Sequence, residues 1–489
     1  MILTCAQMKA AEDALFATGV EAEGLMDKAG QGCAEAIRQF FPKPAEAILF
    51  VGKGHNGGDA FVIGRQLRLA GWRVSAQLAV SREELAPLTR KKLAEFETTP
   101  EPRKPAAAGL MLVDGLLGIG ASGSPRGSLG ELADEMNRLR VVRAATCFAV
   151  DIPSGVDGDS GEPYEGAVIA DVTLAISHVK SGLLDDRAID HVGRLALIPL
   201  PELTSDEGDQ TRVSLHSDQL SQILSPAPFS THKSAAGRVG IIAGARGFTG
   251  AAILTGLGAL RSGGGLITLY AREDYYDLLA AKAPPEIMVK PIRTLAEIAD
   301  DDLHAIAIGP GLTTEHSDEV VDFIQKDPRP MIVDADALNC IAQTPGALES
   351  LPHNRLLTPH PGEMKRLFPA AAGTRLETAR EFVARHPNTL LYKGARTIIA
   401  APEEKTAYNT TGQPGMATGG IGDALTGVCA ALVARGTSLF DAACLGSWLI
   451  GRAAEIHRWE NGQSPEGLAA SDVAQLLPTA MQSLRQGCY

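Results

Sequence analysis

The sequence predicts an α/β protein of two successive domains, each built on a mostly parallel, doubly wound sheet. Three observations carry that reading. Its 489 residues exceed what one ordinary core organises. Short aliphatic runs alternate with helix-length stretches, as in AILFV (47–51) before GDAFVIGRQLRLAG. Parallel strands need that rhythm, because each crossover requires a connecting element. The rhythm stops over PELTSDEGDQTRV (201–213), which is polar, acidic and without periodicity, and it restarts at RVGIIAG (238–244). The domains are therefore set at 1–213 and 214–489.

The first domain's strand candidates are AILFV, RVSAQLAV (73–80), LMLVD (110–114), CFAVD (147–151), VTLAI (172–176) and RLALIPL (194–200). The second continues from RVGIIAG through LITLYA, AIAIGPG, PMIVDADAL, RLLTPHPGE and TLLYKG. It is expected to end in two helices, GDALTGVCAALVARG and FDAACLGSWLIGRAAEIHRW. No fixed-period repeat or low-complexity tract interrupts either half.

Composition excludes several classes. Basic residues number 45 against 58 acidic ones, a formal charge of −13, which leaves no basic stripe for a nucleic-acid backbone. The seven cysteines (5, 33, 147, 340, 429, 444, 488) form no C-x-x-C and no zinc spacing, so reduced thiols in a cytoplasmic protein are expected. No apolar run approaches a membrane span, and the first residues (MILTCAQMKAAED) turn polar too soon for a signal peptide. Neither nucleic acid nor membrane is an expected partner; small-molecule ligands and a homo-oligomer are.

Residues 50–67, FVGKGHNGGDAFVIGRQL, place a glycine turn between an apolar strand and a helical pattern. Such a turn lets backbone N–H groups face an anion at the positive helix end. GKGHNGGD is neither a dinucleotide-fold G-x-G-x-x-G nor a Walker loop. A plain strand–helix turn with Asp59 as helix cap is the competing reading. Two further strand ends carry similar chemistry, VDGLLGIGASG (113–123) with Asp114 and VDIPSGVDGDSG (150–161) with Asp151 and Ser154. Ligands of open α/β sheets bind outside the carboxyl ends of strands. Asn56, Asp114 and Ser154 would there supply hard oxygen donors to a cation.

GKGHNGGDA, VDGLLGIGASG and DIPSGVDGDSG, with LMDKAG at 25–30, resemble NAD(P)H-hydrate epimerase over about the first 200 residues. The resemblance implies a three-layer α/β/α Rossmann-like sandwich and a potassium ion at Asn56, Asp114 and Ser154. It implies that hydrated NADH or NADPH lies against His55, Asn56, Gly57, Gly58 and Asp59, the loop Gly118, Ile119, Gly120, Ala121, Ser122, Gly123 and Ser124, and Asp151. His55 stands where that family usually has Asn. Inverting carbon 6 of the hydrated ring calls for loss and re-addition of its hydroxyl. That exchange needs an acid/base group, and Asp151 is the candidate.

In the second domain, GGIGDALTG (419–427) puts glycines and Asp423 at a helix start, where N–H groups can surround a transferring phosphoryl group. A glycine-rich helix cap is again the competing reading. With GARGFTGAAILTGLGALRSGGGL (244–266), IGPGL, VDADAL, TPHPGE and YKGART, the segment resembles the ribokinase-like superfamily. More narrowly, it resembles the ADP-dependent NAD(P)H-hydrate dehydratase over about 220–489. That implies substrate contacts at Ala251, Gly311, His360 and Asp423, and an adenine-nucleotide site at Lys393, Gly394, Ala395, Arg396, Thr397 and Gly422. It also implies magnesium with the ADP. Asp423 would take the proton of the carbon-6 hydroxyl as phosphate is transferred. For TPHPGE, Pro361 and Glu363 also suit an ordinary first helical turn.

Overall fold

The computed structural model describes every residue except 1, 103–108, 206, 225, 227 and 234–235. The chain divides into two compact units, Met1–His216 with Cys488–Tyr489, and Ser217–Gly487.

In the first unit the sheet strands are β1 (Glu46–Val51), β2 (Arg73–Leu78), β3 (Leu110–Gly115), β4 (Thr146–Val150), β5 (Val172–Ile176) and β6 (Arg194–Ile198). They run in the order β2-β1-β3-β4-β5-β6, all parallel. Every residue of β3 is buried, as expected of a strand covered on both faces. The helices are α1 (Cys5–Ala17), α2 (Ala22–Phe40), α3 (His55–Leu69), α4 (Pro87–Thr98) and α5 (Ser128–Val142). From β1 the chain first goes to β2 on one side and then returns to β3 on the other. That reversal opens a crevice at the carboxyl ends of β1 and β3, the topological switch point. There Gly52 is indispensable, since a Cβ on it would lie 1.8 Å from the Leu116 carbonyl oxygen.

The second unit repeats the logic. Its strands are β7 (Arg238–Ile242), β8 (Leu266–Arg272), β9 (Met288–Ile292), β10 (Ala305–Ile308), β11 (Met331–Val333), β12 (Arg355–Leu357), β13 (Thr389–Tyr392), β14 (Thr397–Ala400) and β15 (Thr406–Asn409). The order is β9-β8-β7-β10-β11-β12-β13-β14-β15, parallel as far as β13 and antiparallel beyond it. The switch point lies between β7 and β10. Their following loops are tied by the Gly244 N–H donating to the Pro310 carbonyl at 2.7 Å.

Two helices frame this site, α6 (Thr249–Arg261) and α7 (Ile421–Ala434). They pack backbone to backbone. A Cβ on Gly258 would sit 2.1 Å from the Ala424 carbonyl oxygen, and one on Gly427 would sit 1.9 Å from that of Thr255. The helix expected over FDAACLGSWLIGRAAEIHRW is α-helical over Leu439–Glu455 and π-helical over Ile456–Glu460. A further helix, Ala470–Arg485, follows it, so the expectation that the chain ends in two helices is one helix short. Pro478 sits inside that helix and weakened its signal in the sequence. Among the described residues, no helix is long and apolar enough to cross a membrane. Six of the seven cysteines are buried, and all are free thiols.

Candidate active sites

In the first unit the three proposed oxygen donors come together. Asp114, wholly buried at the end of β3, accepts from the Ser154 hydroxyl at 2.6 Å, the Ser154 N–H at 2.7 Å and the Leu116 N–H at 3.1 Å. Ser154 Oγ in turn accepts from the Leu117 N–H at 2.9 Å, and Asn56 Nδ2 donates to the Leu117 carbonyl at 2.7 Å. Asn56 Oδ1 is thus left as an acceptor, with the Asn56 side chain beside Gly118. Burial pushes the Asp114 carboxyl up to about 6 despite the opposing bonds from Ser154 and Leu116. Asp114 has no ion-pair partner among the described residues, and both its oxygens accept hydrogen bonds. These residues fit potassium, with Asn56 and Ser154 presenting oxygen and Asp114 supplying charge from behind.

Gly118, Ala121, Ser122 and Gly123 line one cavity with Ser154 and Tyr164. Ile119 instead packs into the apolar cluster around Leu3, Met8 and Leu25, which explains an aliphatic residue inside a ligand loop. Gly120 and Ser124 lie outside that cavity lining. His55 is exposed at the start of α3, Asn56 half-buried, and Gly57 and Gly58 buried.

Asp59 is not the helix cap. Gly54 takes the N-cap position with no side-chain bond, and Asp59 lies in the second turn of α3. Its carboxyl faces acids instead. Burial, then Asp151 and Glu12, hold it well above the ordinary carboxylate range.

Asp151 occupies a left-handed conformation, φ 67°, just after β4. Its Oδ1 accepts from the Ile176 N–H at 3.0 Å and from the ammonium of Lys180, a side chain with no exposed surface. Lys180 and Glu12 were missed by sequence reasoning. Neither lies in a glycine loop, and only the fold brings them to β4.

In the second unit, Asp423 lies in the first turn of α7, whose leading N–H groups have no intrahelical partner. Gly420 caps that helix in a left-handed conformation and no side chain does, so Asp423 is not a cap either. Lys393 Nζ donates to Asp334 Oδ1 at 2.6 Å and lies 3.8 Å from Glu363. Thr426 donates to Asp334 Oδ2 at 2.8 Å. A Cβ on Gly422 would be 3.4 Å from Lys393 Nζ, so these two nucleotide-site candidates adjoin.

Burial pushes Asp423 up to about 6, with Asp334 adding to the rise and Lys393 opposing it. Burial alone would lower the Lys393 ammonium, but Asp334 and Glu363 outweigh it and hold it above the usual lysine range. Asp334, Glu363 and Thr426 were quoted within motifs but given no role. For Asp334 and Glu363 the signal was the acid in each strand-end motif, VDADAL and TPHPGE; Thr426, in GGIGDALTG, had none.

Ala251 and Gly311 adjoin, since a Cβ on Gly311 would lie 3.0 Å from that of Ala251. His360 is both a capping residue and a group at the site. Its Nδ1 accepts from the Gly362 N–H at 2.9 Å and the Glu363 N–H at 3.3 Å, and its N–H donates to Glu363 Oε2 at 2.8 Å. A neutral ring with Nδ1 accepting carries its proton on Nε2, which lies on the exposed side chain 3.5 Å from Glu363 Oε1. The 393–397 loop is held from below by Arg375, which donates to the carbonyls of Tyr392, Lys393 and Arg396 at 3.0–3.1 Å. Arg396 is buried, while Gly394 and Ala395 are exposed. Thr397 donates to the Gly394 carbonyl at 3.1 Å.

Known proteins match both halves. Residues 239–478 match the family model described as NAD(P)H-hydrate dehydratase, and 22–182 that described as YjeF-related protein N-terminus. The bifunctional NAD(P)H-hydrate repair enzyme Nnr of Escherichia coli is 33% identical over 93% of this chain and 88% of its own length. The enzyme of that name from Gloeobacter violaceus is 36% identical over 89% of each chain. Among solved structures, a ribokinase-like superfamily protein of Enterococcus faecalis matches with TM-score 0.50 and 27% identity, over 58% of this chain and all of its own. A Bacillus subtilis ADP/ATP-dependent NAD(P)H-hydrate dehydratase, co-crystallised with ATP/Mg2+, matches with TM-score 0.49 and 30% identity, over 55% of this chain and 97% of its own. With relatives of this kind aligned along nearly its whole length, the chain belongs to the family of bifunctional NAD(P)H-hydrate repair enzymes.

Proposed function

We propose that the first unit interconverts the R and S forms of hydrated NADH or NADPH, and that the second dehydrates the S form at the expense of ADP. The products are the reduced cofactor, AMP and phosphate. The observation that carries the second half is the placement of Asp423, a half-buried carboxyl at a helix N-terminus beside the Lys393 ammonium.

Hydroxide is a poor leaving group and phosphate a good one, so phosphorylating the carbon-6 hydroxyl before elimination lowers the barrier. Asp423 accepts the hydroxyl proton as the oxygen attacks the terminal phosphoryl group of ADP. The free N–H groups of α7 and the Lys393 ammonium face the charge that develops on the phosphoryl oxygens. His360 Nε2–H offers the substrate a hydrogen bond. Magnesium, when bound with the nucleotide, neutralises phosphate charge. Asp334 is committed to Lys393 and Thr426, so the ion would be carried chiefly on phosphate oxygens and water.

In the first unit Asp151 is the acid/base group of the exchange and takes the proton of the returning water. Potassium, when bound, supplies positive charge beside the substrate's phosphates or ring, held by Asn56 and Ser154 with Asp114 behind.

The test is turnover of a mixed-epimer hydrate with ADP or with ATP. Restoration of the reduced nicotinamide's absorbance with stoichiometric AMP is expected with ADP. Accumulation of a stable phosphorylated hydrate would identify a kinase instead.

A further inference from the structure

Three carboxyl groups from separate elements converge behind the first unit's site, with one cation among them. Asp151 follows β4, Asp59 lies on α3 and Glu12 on α1, and Lys180 is wholly buried beside Asp151. Asp59 and Glu12 each feel the charge of Asp151, and like charges that interact in a poorly hydrated site disfavour one another's ionisation. The bonding decides which one is ionised. Lys180 donates to Asp151 Oδ1 and, at 3.2 Å, to the Ile176 carbonyl, and the Ile176 N–H donates to that same Oδ1 at 3.0 Å. One oxygen of Asp151 is therefore clamped, while Oδ2 has no protein partner among the described residues. The Asp59 carboxyl likewise makes no hydrogen bond to protein among them.

We propose that Lys180 is the positioning residue of the epimerase, aiming Asp151 through Oδ1 and keeping it the ionised member of the cluster so that Oδ2 is a base. This rests on the reading of Asp151 as the acid/base group. Asp59, raised by burial and by Asp151 and Glu12, is then the cluster's candidate proton donor, and Glu12 is raised by burial and Asp151.

The step balances. The carbon-6–oxygen bond breaks, hydroxide leaves as water with the Asp59 proton, and the ring-nitrogen lone pair closes an iminium. Water adds on the opposite face and gives its proton to Asp151 Oδ2. Exchange with solvent restores both groups. The other titratable groups facing the pair are Cys5 on α1, Cys33 on α2, Asp159 in the loop after Asp151, and His178 before Lys180. Burial raises both thiols and lowers the His178 imidazole to about 4, so none of these three is charged at neutral pH.

Lys180→Met removes the cation, so Asp151 takes up a proton and serves as base only at higher pH. The ascending limb of the epimerase pH–rate profile should move up by more than about one unit. The rate at neutral pH should fall about 100-fold, the low end for acid–base catalysis, with KM little changed. Lys180→Arg should restore the limb. Dehydratase activity of the same chain is the loading control. If Lys180→Met does not fold, carbon NMR of aspartate carboxyls in the parent chain decides: as pH rises, Asp151 should lose its proton before Asp59. A parent-like profile for folded Lys180→Met, or Asp151 titrating above Asp59, overturns the proposal. Asp151→Asn separates the levels, because full epimerase activity there overturns the role of Asp151 itself. An inactive Asp151→Asn beside a parent-like Lys180→Met overturns only that of Lys180.

Discussion

Replacing Gly427 by alanine adds one methyl group where the second unit has no room for it. The new Cβ would stand 1.9 Å from the Thr255 carbonyl oxygen, and real contacts of this kind do not fall below 3.0 Å, so the two helices must part by about 1.1 Å. Two effects oppose each other. Alanine in a helix interior is favoured over glycine by about 1 kcal/mol, whereas overpacking a fitted contact costs about 1–3 kcal/mol. Overpacking wins, and stability should fall by about 0–2 kcal/mol. The larger effect is on rate. Gly427 lies one turn after Asp423 on the same helix, so a shift of about 1 Å there is passed to the base, and misplacement on that scale costs about 100-fold. The assay is ADP-dependent recovery of reduced nicotinamide absorbance, with epimerisation by the same preparation as control and a thermal melt beside it. Parent-like dehydratase turnover in folded Gly427→Ala would refute the claim that this helix contact sets the position of Asp423.

Asp423→Asn keeps the shape and removes the base, so ADP-dependent turnover should drop about 100- to 10,000-fold, while calorimetry still shows ADP binding. Because Asp423 is pushed up to about 6 and acts only when ionised, the parent dehydratase rate should rise with pH through about 6 and level off above it; a rate that stays flat from pH 5 to 8 would assign the base elsewhere. Asp114→Ala removes the one full charge behind Asn56 and Ser154, so epimerisation should slow and lose its dependence on potassium, with dehydration intact. An epimerase indifferent to both the substitution and the ion would remove the cation from the account.

The central strands of both sheets could be read from the sequence because they are buried on two faces and so appear as unbroken aliphatic runs, AIAI at β10 being the plainest, whereas β9, β14 and β15 toward the ends of the second sheet were not found. The strand-end acids were legible for a related reason, since a carboxylate after such a run has few structural uses. Roles set by distant partners were not legible. Lys180 sits in HVKSG with nothing to show that the fold buries it against Asp151. Nothing around Arg375 in the sequence shows that it reaches the carbonyls of Tyr392, Lys393 and Arg396. The competing reading of Asp59 as a helix cap falls, since Gly54 takes that position without a side chain. His360 shows that two readings need not compete, since one ring nitrogen caps its helix and the other is left to donate. The final helix escaped because Pro478 breaks the pattern that would have announced it.

Whether one chain carries both activities is tested by giving it the pure R hydrate with ADP. The account predicts that reduced cofactor appears together with AMP. With Asp151→Asn the restoration should fall to the rate at which the R form inverts unaided, while pure S hydrate is still dehydrated normally. With Asp423→Asn, the R form should yield a mixture of epimers and almost no reduced cofactor. Full restoration from the R form by the Asp151→Asn chain, at the parent rate, would contradict the account.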